Sequence, residues 1–207
     1  MALNSADFLV ILLHGVGSSG ADLMPLGAAL DRFVPNVKFV SPNAPEPSAF
    51  GAGYQWFSVV GVTPENRAER IIAARDGFDA VIETAITENG FADKRHRVAF
   101  VGFSQGSIMA LDALATGRHS PAAIVSFAGR LATPDPLTPP INAEALLIHG
   151  DADQVIPASE TRSAAERLLS AGVMVETEIL PGIGHTIAPA SIQTAGRFLA
   201  RQFAGVL

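Results

Sequence analysis

The pentapeptide Gly102-Phe-Ser-Gln-Gly106 contains the residue of this chain that is best placed to act as a nucleophile. The apolar run at residues 98–101 predicts a buried parallel strand, and residues 108–114 show the apolar spacing of a helix. A G-x-S-x-G motif between a strand and a helix is typical of a nucleophile elbow, in which a tight turn holds the serine above the sheet. Ser104 is therefore the candidate nucleophile, although the motif string alone also fits an ordinary glycine-rich turn.

A serine hydroxyl needs a base to take its proton, and the base needs a third group to fix its tautomer. His185 is the candidate base because it lies in a glycine-flanked loop between the last predicted strand and the last predicted helix. That loop would lie at the same edge of the sheet as Ser104.

The other histidines receive different predictions. His14 and His149 each end a buried strand before a glycine, and we expect both to hydrogen-bond to nearby backbone rather than to react. His96 and His119 lie among polar residues of connecting segments, so we expect both on the solvated surface.

Two aspartates in one loop could orient the base. Asp151 directly follows Gly150 and resembles a turn former, whereas Asp153 lies further along the loop and could reach His185. Asp153 is the favoured acid, with Asp151 as the alternative.

The order serine, aspartate, histidine along the chain is the order in which α/β-hydrolase folds carry their triads. All three candidates follow strands, and open α/β sheets place their sites at the carboxyl ends of strands. An oxyanion hole needs two backbone donors. We expect one from Gln105, directly after the nucleophile, and one from Val16 in the glycine loop after the first strand.

The alternation of strands and helices predicts an α/β fold with a mostly parallel sheet of about six strands and helices on both faces. We find no internal repeat and no linker, so residues 1–207 are expected to form a single domain without a large cap domain. The predicted strands are residues 8–13, 37–41, 98–101, 122–128, 145–148 and 173–180. The predicted helices are residues 22–33, 65–88, 157–171, 189–203 and one that begins at Gln105.

Composition narrows the functional classes. The chain has 207 residues, 48% hydrophobic and 16% charged, with no cysteine, which predicts a folded protein without disulfides or thiolate metal sites. Its formal net charge of −6 is unclustered and argues against nucleic acid as a partner. The start of the chain has no basic segment, and the apolar run at residues 8–13 is too short for a signal peptide or membrane span. We therefore expect a cytoplasmic protein with no integral membrane segment.

The proline-, glycine- and aromatic-rich segment at residues 42–64 is long for a connection in a compact domain, which is typical of a functional loop. It contains Trp56 and Phe57, which we predict as walls of a substrate pocket. The alternative is that both are ordinary core aromatics.

The whole chain resembles the phospholipase/carboxylesterase family of compact α/β hydrolases, which includes acyl-protein thioesterases and small bacterial carboxylesterases. The resemblance rests on Leu13-His-Gly-Val-Gly17, Gln55-Trp-Phe57, Gly102-Phe-Ser-Gln-Gly106, His149-Gly-Asp-Ala-Asp153 and Gly184-His185. It implies the same roles as above for Ser104, Asp153 and His185, with Val16 and Gln105 as oxyanion donors.

Two departures from the thioesterase pattern favour the bacterial carboxylesterase branch. Ser18-Ser19 stands where thioesterase-like members typically have Asp-Thr, and Ser58 stands where they tend to have aspartate.

The expected reaction is hydrolysis of a small-molecule carboxylic ester, thioester or lysophospholipid through an acyl-enzyme, with no metal or organic cofactor. Activity should fall at acid pH as the imidazole of His185 becomes protonated. Perhydrolase, acyltransferase or lyase chemistry on the same triad is an alternative, as is a non-enzymatic binding module. The sequence assigns no oligomeric state and no acyl chain length.

Overall fold

The structure, a computed structural model, describes residues 6–205, so residues 1–5 and 206–207 of the predicted domain lie outside the described residues. The strands are β1 Phe8–Leu13, β2 Val37–Val40, β3 Glu46–Pro47, β4 Tyr54–Gln55, β5 Val98–Phe103, β6 Ala123–Phe127, β7 Glu144–Gly150 and β8 Met174–Leu180. The α-helices are α1 Gly20–Leu30, α2 Arg67–Ala73, α3 Arg75–Glu88, α4 Gln105–Ala115, α5 Ser159–Ser170 and α6 Pro189–Ala204. Short 3₁₀ turns cover Asp31–Phe33 and Arg95–Arg97.

Six strands form one sheet in the order β2-β1-β5-β6-β7-β8, and every neighbouring pair is parallel. The predicted α/β fold and the six predicted strands are confirmed. The chain first builds outwards from β1 to β2 and then returns to the other side of β1 with β5. The carboxyl ends of β1 and β5 therefore form the topological switch point, where open α/β sheets bind ligands.

Each strand of the centre is buried on both sides because helices cover both faces of the sheet. In β1, Leu9, Ile11 and Leu13 join a core cluster with α2, α3, α4 and α5. The alternate residues Val10 and Leu12 join a second cluster with α1 and α6. This two-sided burial explains why the strands are continuous apolar runs rather than alternating ones.

Two predicted elements differ from the structure. The single helix predicted over residues 65–88 is two helices, because the N–H of Ala74 bonds to the carbonyl of Ile71 three residues back and tightens the chain between α2 and α3. The predicted loop at residues 42–64 contains the small antiparallel pair β3 and β4, which the proline- and glycine-rich pattern did not indicate.

A buried carboxylate joins α3 and α4. Asp112 on α4 accepts hydrogen bonds from the guanidinium groups of Arg75 and Arg118 and from the hydroxyl of Thr133, at 2.7 to 3.0 Å. Burial alone would raise the pKa of Asp112, but these donors hold it below its ordinary value. Asp112 is therefore charged, and its buried ion pairs connect α3 and α4.

No helix in the described part of the chain is both long enough and apolar enough to cross a lipid bilayer.

Candidate active site

Ser104 sits in a strained turn between β5 and α4. Its φ is +52° and its ψ is −115°, a conformation that a residue with a side chain rarely adopts. The turn is packed so closely that a Cβ on Gly102 would lie 2.5 Å from the backbone nitrogen of Ser107. A Cβ on Gly106 would lie 2.1 Å from the carbonyl oxygen of Leu13. The glycines of the motif are therefore required by close backbone approach, as the sequence predicts for a nucleophile elbow.

Three side chains from three strand ends form a hydrogen-bonded line. The hydroxyl of Ser104 lies 2.8 Å from Nε2 of His185, and Nδ1 of His185 lies 2.6 Å from Oδ2 of Asp153. Because a carboxylate accepts and does not donate, Nδ1 of His185 carries the proton, which leaves Nε2 free to accept the serine proton. The structure thus brings together Ser104, Asp153 and His185, and the arrangement can do base-assisted nucleophilic chemistry.

Asp153 is fixed by more than the imidazole of His185. Its Oδ1 accepts the backbone N–H groups of Val155 and Ile156, at 2.8 and 2.9 Å. Burial alone would raise the pKa of Asp153, but the hydrogen bonds from His185 and from the two backbone groups hold it below its ordinary value. The carboxylate therefore stays charged beside His185 at neutral pH.

A second imidazole also contacts Asp153. Nε2 of His149 lies 3.1 Å from Oδ2 of Asp153 and 2.8 Å from the carbonyl oxygen of Ile156, so this nitrogen carries a proton and donates. Nδ1 of His149 then accepts from the hydroxyl of Thr161 at 2.7 Å. The prediction that His149 bonds to nearby backbone agrees with the bond to Ile156. It did not include the contact with Asp153, because only the fold brings this side chain beside the ring.

The two residues expected to supply the oxyanion donors lie beside the candidate nucleophile. Val16 and Gln105 line the same pocket as Ser104. The N–H of Gln105 is the first of α4, and the first four N–H groups of a helix have no partner within it. Within residues 6–205 the N–H of Val16 also donates to no protein acceptor. Both donors and the positive end of α4 are thus available to a negative oxygen.

The loop that carries Val16 is held by His14. Nδ1 of His14 donates to the carbonyl of Gly15 at 2.8 Å, and Nε2 accepts the N–H of Ala44 at 3.0 Å. Burial lowers the pKa of His14, which favours the neutral ring that these two bonds require. The expectation that His14 bonds to nearby backbone agrees with these contacts.

The side chain of Gln105 joins the elbow to the segment at residues 42–64. Its Oε1 accepts the N–H of Trp56 at 2.8 Å, and its Nε2 donates to the carbonyl of Phe57 at 2.7 Å. Gln105 is 2% exposed, so both bonds are shielded from water. Sequence reasoning used the backbone of Gln105 alone, although a glutamine beside a nucleophile is a signal for such a contact.

The two aromatic residues predicted as pocket walls have different surroundings. Phe57 lines the pocket that contains Ser104. Trp56 is 1% exposed, packs edge-on against Phe78 and donates its Nε1–H to the carbonyl of His14 at 2.9 Å. The alternative of an ordinary core aromatic therefore describes Trp56, because its polar group is satisfied inside the domain.

The predictions for the remaining polar residues agree with the structure for Asp151 and His96 but not for His119. Asp151 is exposed and its Oδ1 accepts the N–H of Gly182 at 2.6 Å, as a turn former would. His96 is exposed as expected. The surface prediction for His119 is wrong: the residue is 6% exposed, and its Nε2 lies 3.0 Å from the carboxylate of Asp79 on α3. That contact joins residues 40 positions apart, so local polarity did not reveal it.

The pocket beside Ser104 has a volume of about 190 Å³, mostly apolar walls and two arginines. A larger groove of about 620 Å³ lies between the loop after β2 and α3, but it contains none of the candidate residues. In the described part of the chain, no group of three histidine, cysteine, aspartate or glutamate side chains is arranged to hold a metal ion.

Comparison with known proteins adds independent observations. A model of the phospholipase/carboxylesterase family matches residues 3–202. Esterase YpfH of Escherichia coli (strain K12) is 35% identical over 190 residues, which cover 92% of this chain and 81% of that protein. Acyl-protein thioesterase 1 homolog 1 of Dictyostelium discoideum is 27% identical over 211 residues, covering 93% and 89% of the two chains. The crystal structure of esterase PE8 has a TM-score of 0.86 and 34% identity, over 95% of this chain and 93% of that one.

Proposed function

This chain belongs to the phospholipase/carboxylesterase family and is a carboxylic ester hydrolase, and from that premise we propose that it cleaves small, short-chain esters through an acyl-enzyme on Ser104. The observation that carries the proposal is the hydrogen-bonded line from Ser104 through His185 to Asp153 at the mouth of a small apolar pocket.

The chemistry follows from the positions of the protons. The hydroxyl oxygen of Ser104 attacks the ester carbonyl carbon while its proton passes to Nε2 of His185. The carbonyl electron pair moves onto oxygen, where the N–H groups of Val16 and Gln105 stabilise the negative charge. Asp153 stabilises the imidazolium that forms, and its shielded bonds keep the ring in the required orientation.

The tetrahedral intermediate then collapses. The bond from carbon to the alcohol oxygen breaks, and the leaving alcohol takes the proton from Nε2 of His185. The acyl group remains on Ser104 as an ester. A water molecule repeats the sequence: His185 takes its proton, the hydroxide attacks the acyl carbon, and Ser104 regains its proton as the carboxylic acid leaves.

The size of the pocket favours short substrates. Its volume of about 190 Å³ is below the range of roughly 300–1,000 Å³ that is usual for drug-sized ligands. An acyl chain of a few carbons fits this space, whereas most of a long chain would lie in water and gain little from burial. Thioesters with equally short acyl groups could use the same chemistry because the acyl-enzyme is the same.

The test is hydrolysis of p-nitrophenyl esters from acetate to palmitate by the wild type and by Ser104→Ala, whose folding is checked by its melting temperature. We expect the highest kcat/KM at acetate to hexanoate and no turnover by the variant. Equal activity of the variant would exclude Ser104 as the nucleophile. A maximum at palmitate would exclude a short-chain pocket while leaving the serine mechanism intact. Adding hydrogen peroxide or an alcohol to the same assay detects acyl transfer to acceptors other than water.

A further inference from the structure

Two arginines line the pocket that contains Ser104. Arg67 is the first residue of α2, and Arg130 follows the end of β6. The other walls are mainly aliphatic and aromatic, so the pocket combines an apolar surface with two guanidinium groups. Neither arginine has a part in the attack, the oxyanion or the proton transfer described above.

Arg130 is buried but its donors are largely unused. The residue is 8% exposed, and its nearest carboxylate is Glu160, at 3.3 Å from Nη1. Its side chain makes no hydrogen bond within residues 6–205, and none of its nitrogens is among the fully enclosed atoms that lack a partner. Its nitrogens therefore keep some contact with solvent, and Arg130 lines the pocket that contains Ser104.

The two positive charges lie close enough to repel. The pKa of Arg130 is lowered, mainly by its burial; Glu160 opposes this shift and the charge of Arg67 adds to it. In the described part of the chain Arg67 makes no ion pair, and the carboxylates whose charge acts on the two arginines are Glu160 and Asp153 for Arg130 and Glu65 for Arg67. The guanidinium of Arg130 is nevertheless buried without a hydrogen-bond acceptor among residues 6–205, which is unfavourable for a charged donor. A bound anion would supply hydrogen-bond acceptors for this guanidinium.

We propose that Arg67 and Arg130 form an anion-binding subsite beside Ser104, so that the enzyme prefers esters that carry a carboxylate or phosphate close to the cleaved bond. The guanidinium fork matches both anions, and the aliphatic walls match the methylene groups between the anion and the ester. This inference rests on the proposed function, because the anion is part of the substrate that acylates Ser104.

The anionic group could belong to either the acyl part or the alcohol part of the ester. An anion on the acyl part makes the substrate a monoester of a short dicarboxylic acid. An anion on the alcohol part makes it an acyl glycerol phosphate or a related phosphorylated alcohol. Both are tested with pairs of esters that match in length and differ in charge.

The acyl arm compares monomethyl succinate, glutarate and adipate with methyl butyrate, pentanoate and hexanoate. The alcohol arm compares 1-butyrylglycerol 3-phosphate with 1-butyrylglycerol. We expect the wild type to prefer the anionic ester by about ten- to hundredfold in kcat/KM in at least one arm, the size expected for charged hydrogen bonds in a shielded site. The arm that shows the preference identifies the part of the substrate that carries the anion.

The variants Arg67→Gln and Arg130→Gln remove one charge each and should bring the ratio of anionic to neutral kcat/KM close to one. Arg70→Gln is the matched control, because Arg70 lies on the same helix outside the pocket. It should keep the wild-type ratio. If Arg130→Gln does not fold, Arg67→Gln decides alone, since Arg67 is partly exposed and has no described ion pair to lose.

No preference for the anionic ester in either arm would overturn the proposal, as would a preference that both variants retain. Either result could coexist with turnover of the neutral esters that Ser104→Ala abolishes. In that case the proposed function stands and the anion subsite fails. If the wild type turns over none of the esters, the proposed function itself is refuted.

Discussion

The side chain of Gln105 offers a way to separate the catalytic backbone from the support around it. In Gln105→Ala the backbone N–H that would face the oxyanion remains. The variant loses the hydrogen bonds that join the elbow to Trp56 and Phe57. Both bonds are buried, so the substitution leaves a backbone N–H and a backbone carbonyl without partners.

Each unmet buried group costs about 1–3 kcal/mol, so we expect the free energy of unfolding of Gln105→Ala to fall by about 2–6 kcal/mol. For a domain of this length, 1 kcal/mol corresponds to about 2–4 °C in melting temperature. The expected decrease is therefore about 4–24 °C in thermal unfolding followed by circular dichroism. Because the freed segment also supports the loop of Val16, kcat should fall by about ten- to hundredfold, the effect of a small misplacement of reacting groups.

The control is Gln193→Ala on α6, where the glutamine is exposed. A surface substitution of this kind should change the free energy of unfolding by about 0.5 kcal/mol at most. Gln105→Glu keeps an acceptor for the N–H of Trp56 but turns an oxygen towards the carbonyl of Phe57, so it should also destabilise. If Gln105→Ala melts at the temperature of Gln193→Ala, the glutamine side chain is not what holds the segment to the elbow.

Two further substitutions probe buried polar groups. His149→Phe removes a hydrogen-bond donor from the carboxylate of Asp153, and we expect kcat to fall by about tenfold or less. We also expect the acid limb of the pH–rate profile to move to higher pH, because a carboxylate with one donor fewer stabilises the protonated form of His185 more strongly. His149→Gln can still donate a hydrogen bond, so it should restore part of kcat and part of the wild-type pH–rate profile. If the acid limb of His149→Phe stays at the wild-type pH, His149 contributes to stability alone. Asp112→Asn should reduce the free energy of unfolding by about 3–5 kcal/mol, because it removes the buried carboxylate from Arg75 and leaves Arg118 paired with Asp79 alone. Glu83→Gln in an exposed pair should cost about 1 kcal/mol or less. Since the folded-state pKa of Asp112 lies below its ordinary value of 3.8, its contribution is complete above that value and is lost as pH falls through the folded pKa. The difference in melting temperature between wild type and Asp112→Asn should therefore stay constant from pH 7 to about pH 5 and begin to shrink below about pH 4.

The features that the sequence predicts well are those with a local cause. A short apolar run followed by Gly-x-Ser-x-Gly determines both the strand and the turn, because the turn is too tight for side chains at Gly102 and Gly106. The acid and base could be chosen because parallel strands all end at one edge of the sheet. His185 and Asp153 could therefore be assigned to the same place without knowing the path of the chain between them.

The features that the sequence did not predict depend on contacts between distant segments. Nothing near His119 indicates that α3 would cover it with Asp79. The adjacent aromatic residues Trp56 and Phe57 lie in different places, Trp56 in the core and Phe57 in the pocket. The residue types in a loop do not indicate which way each side chain faces. The sequence also gives no sign of a role for Arg67 and Arg130, because only the fold places these two charged residues on one pocket.

The segment at residues 42–64 supports the site rather than covering it as a movable lid. Its contacts to the glycine loop are buried or backbone bonds: the N–H of Ala44 to His14, the Nε1–H of Trp56 to the carbonyl of His14, and paired bonds between Tyr54 and residues 17–18. Gln105 adds two more bonds from the elbow side. Opening the segment would break all of these at once and release the loop that carries Val16, so the motion that admitted substrate would also displace this proposed oxyanion donor. Access to Ser104 must therefore run through the mouth of the existing pocket, and the residues at that mouth, rather than a closing lid, would decide which esters enter.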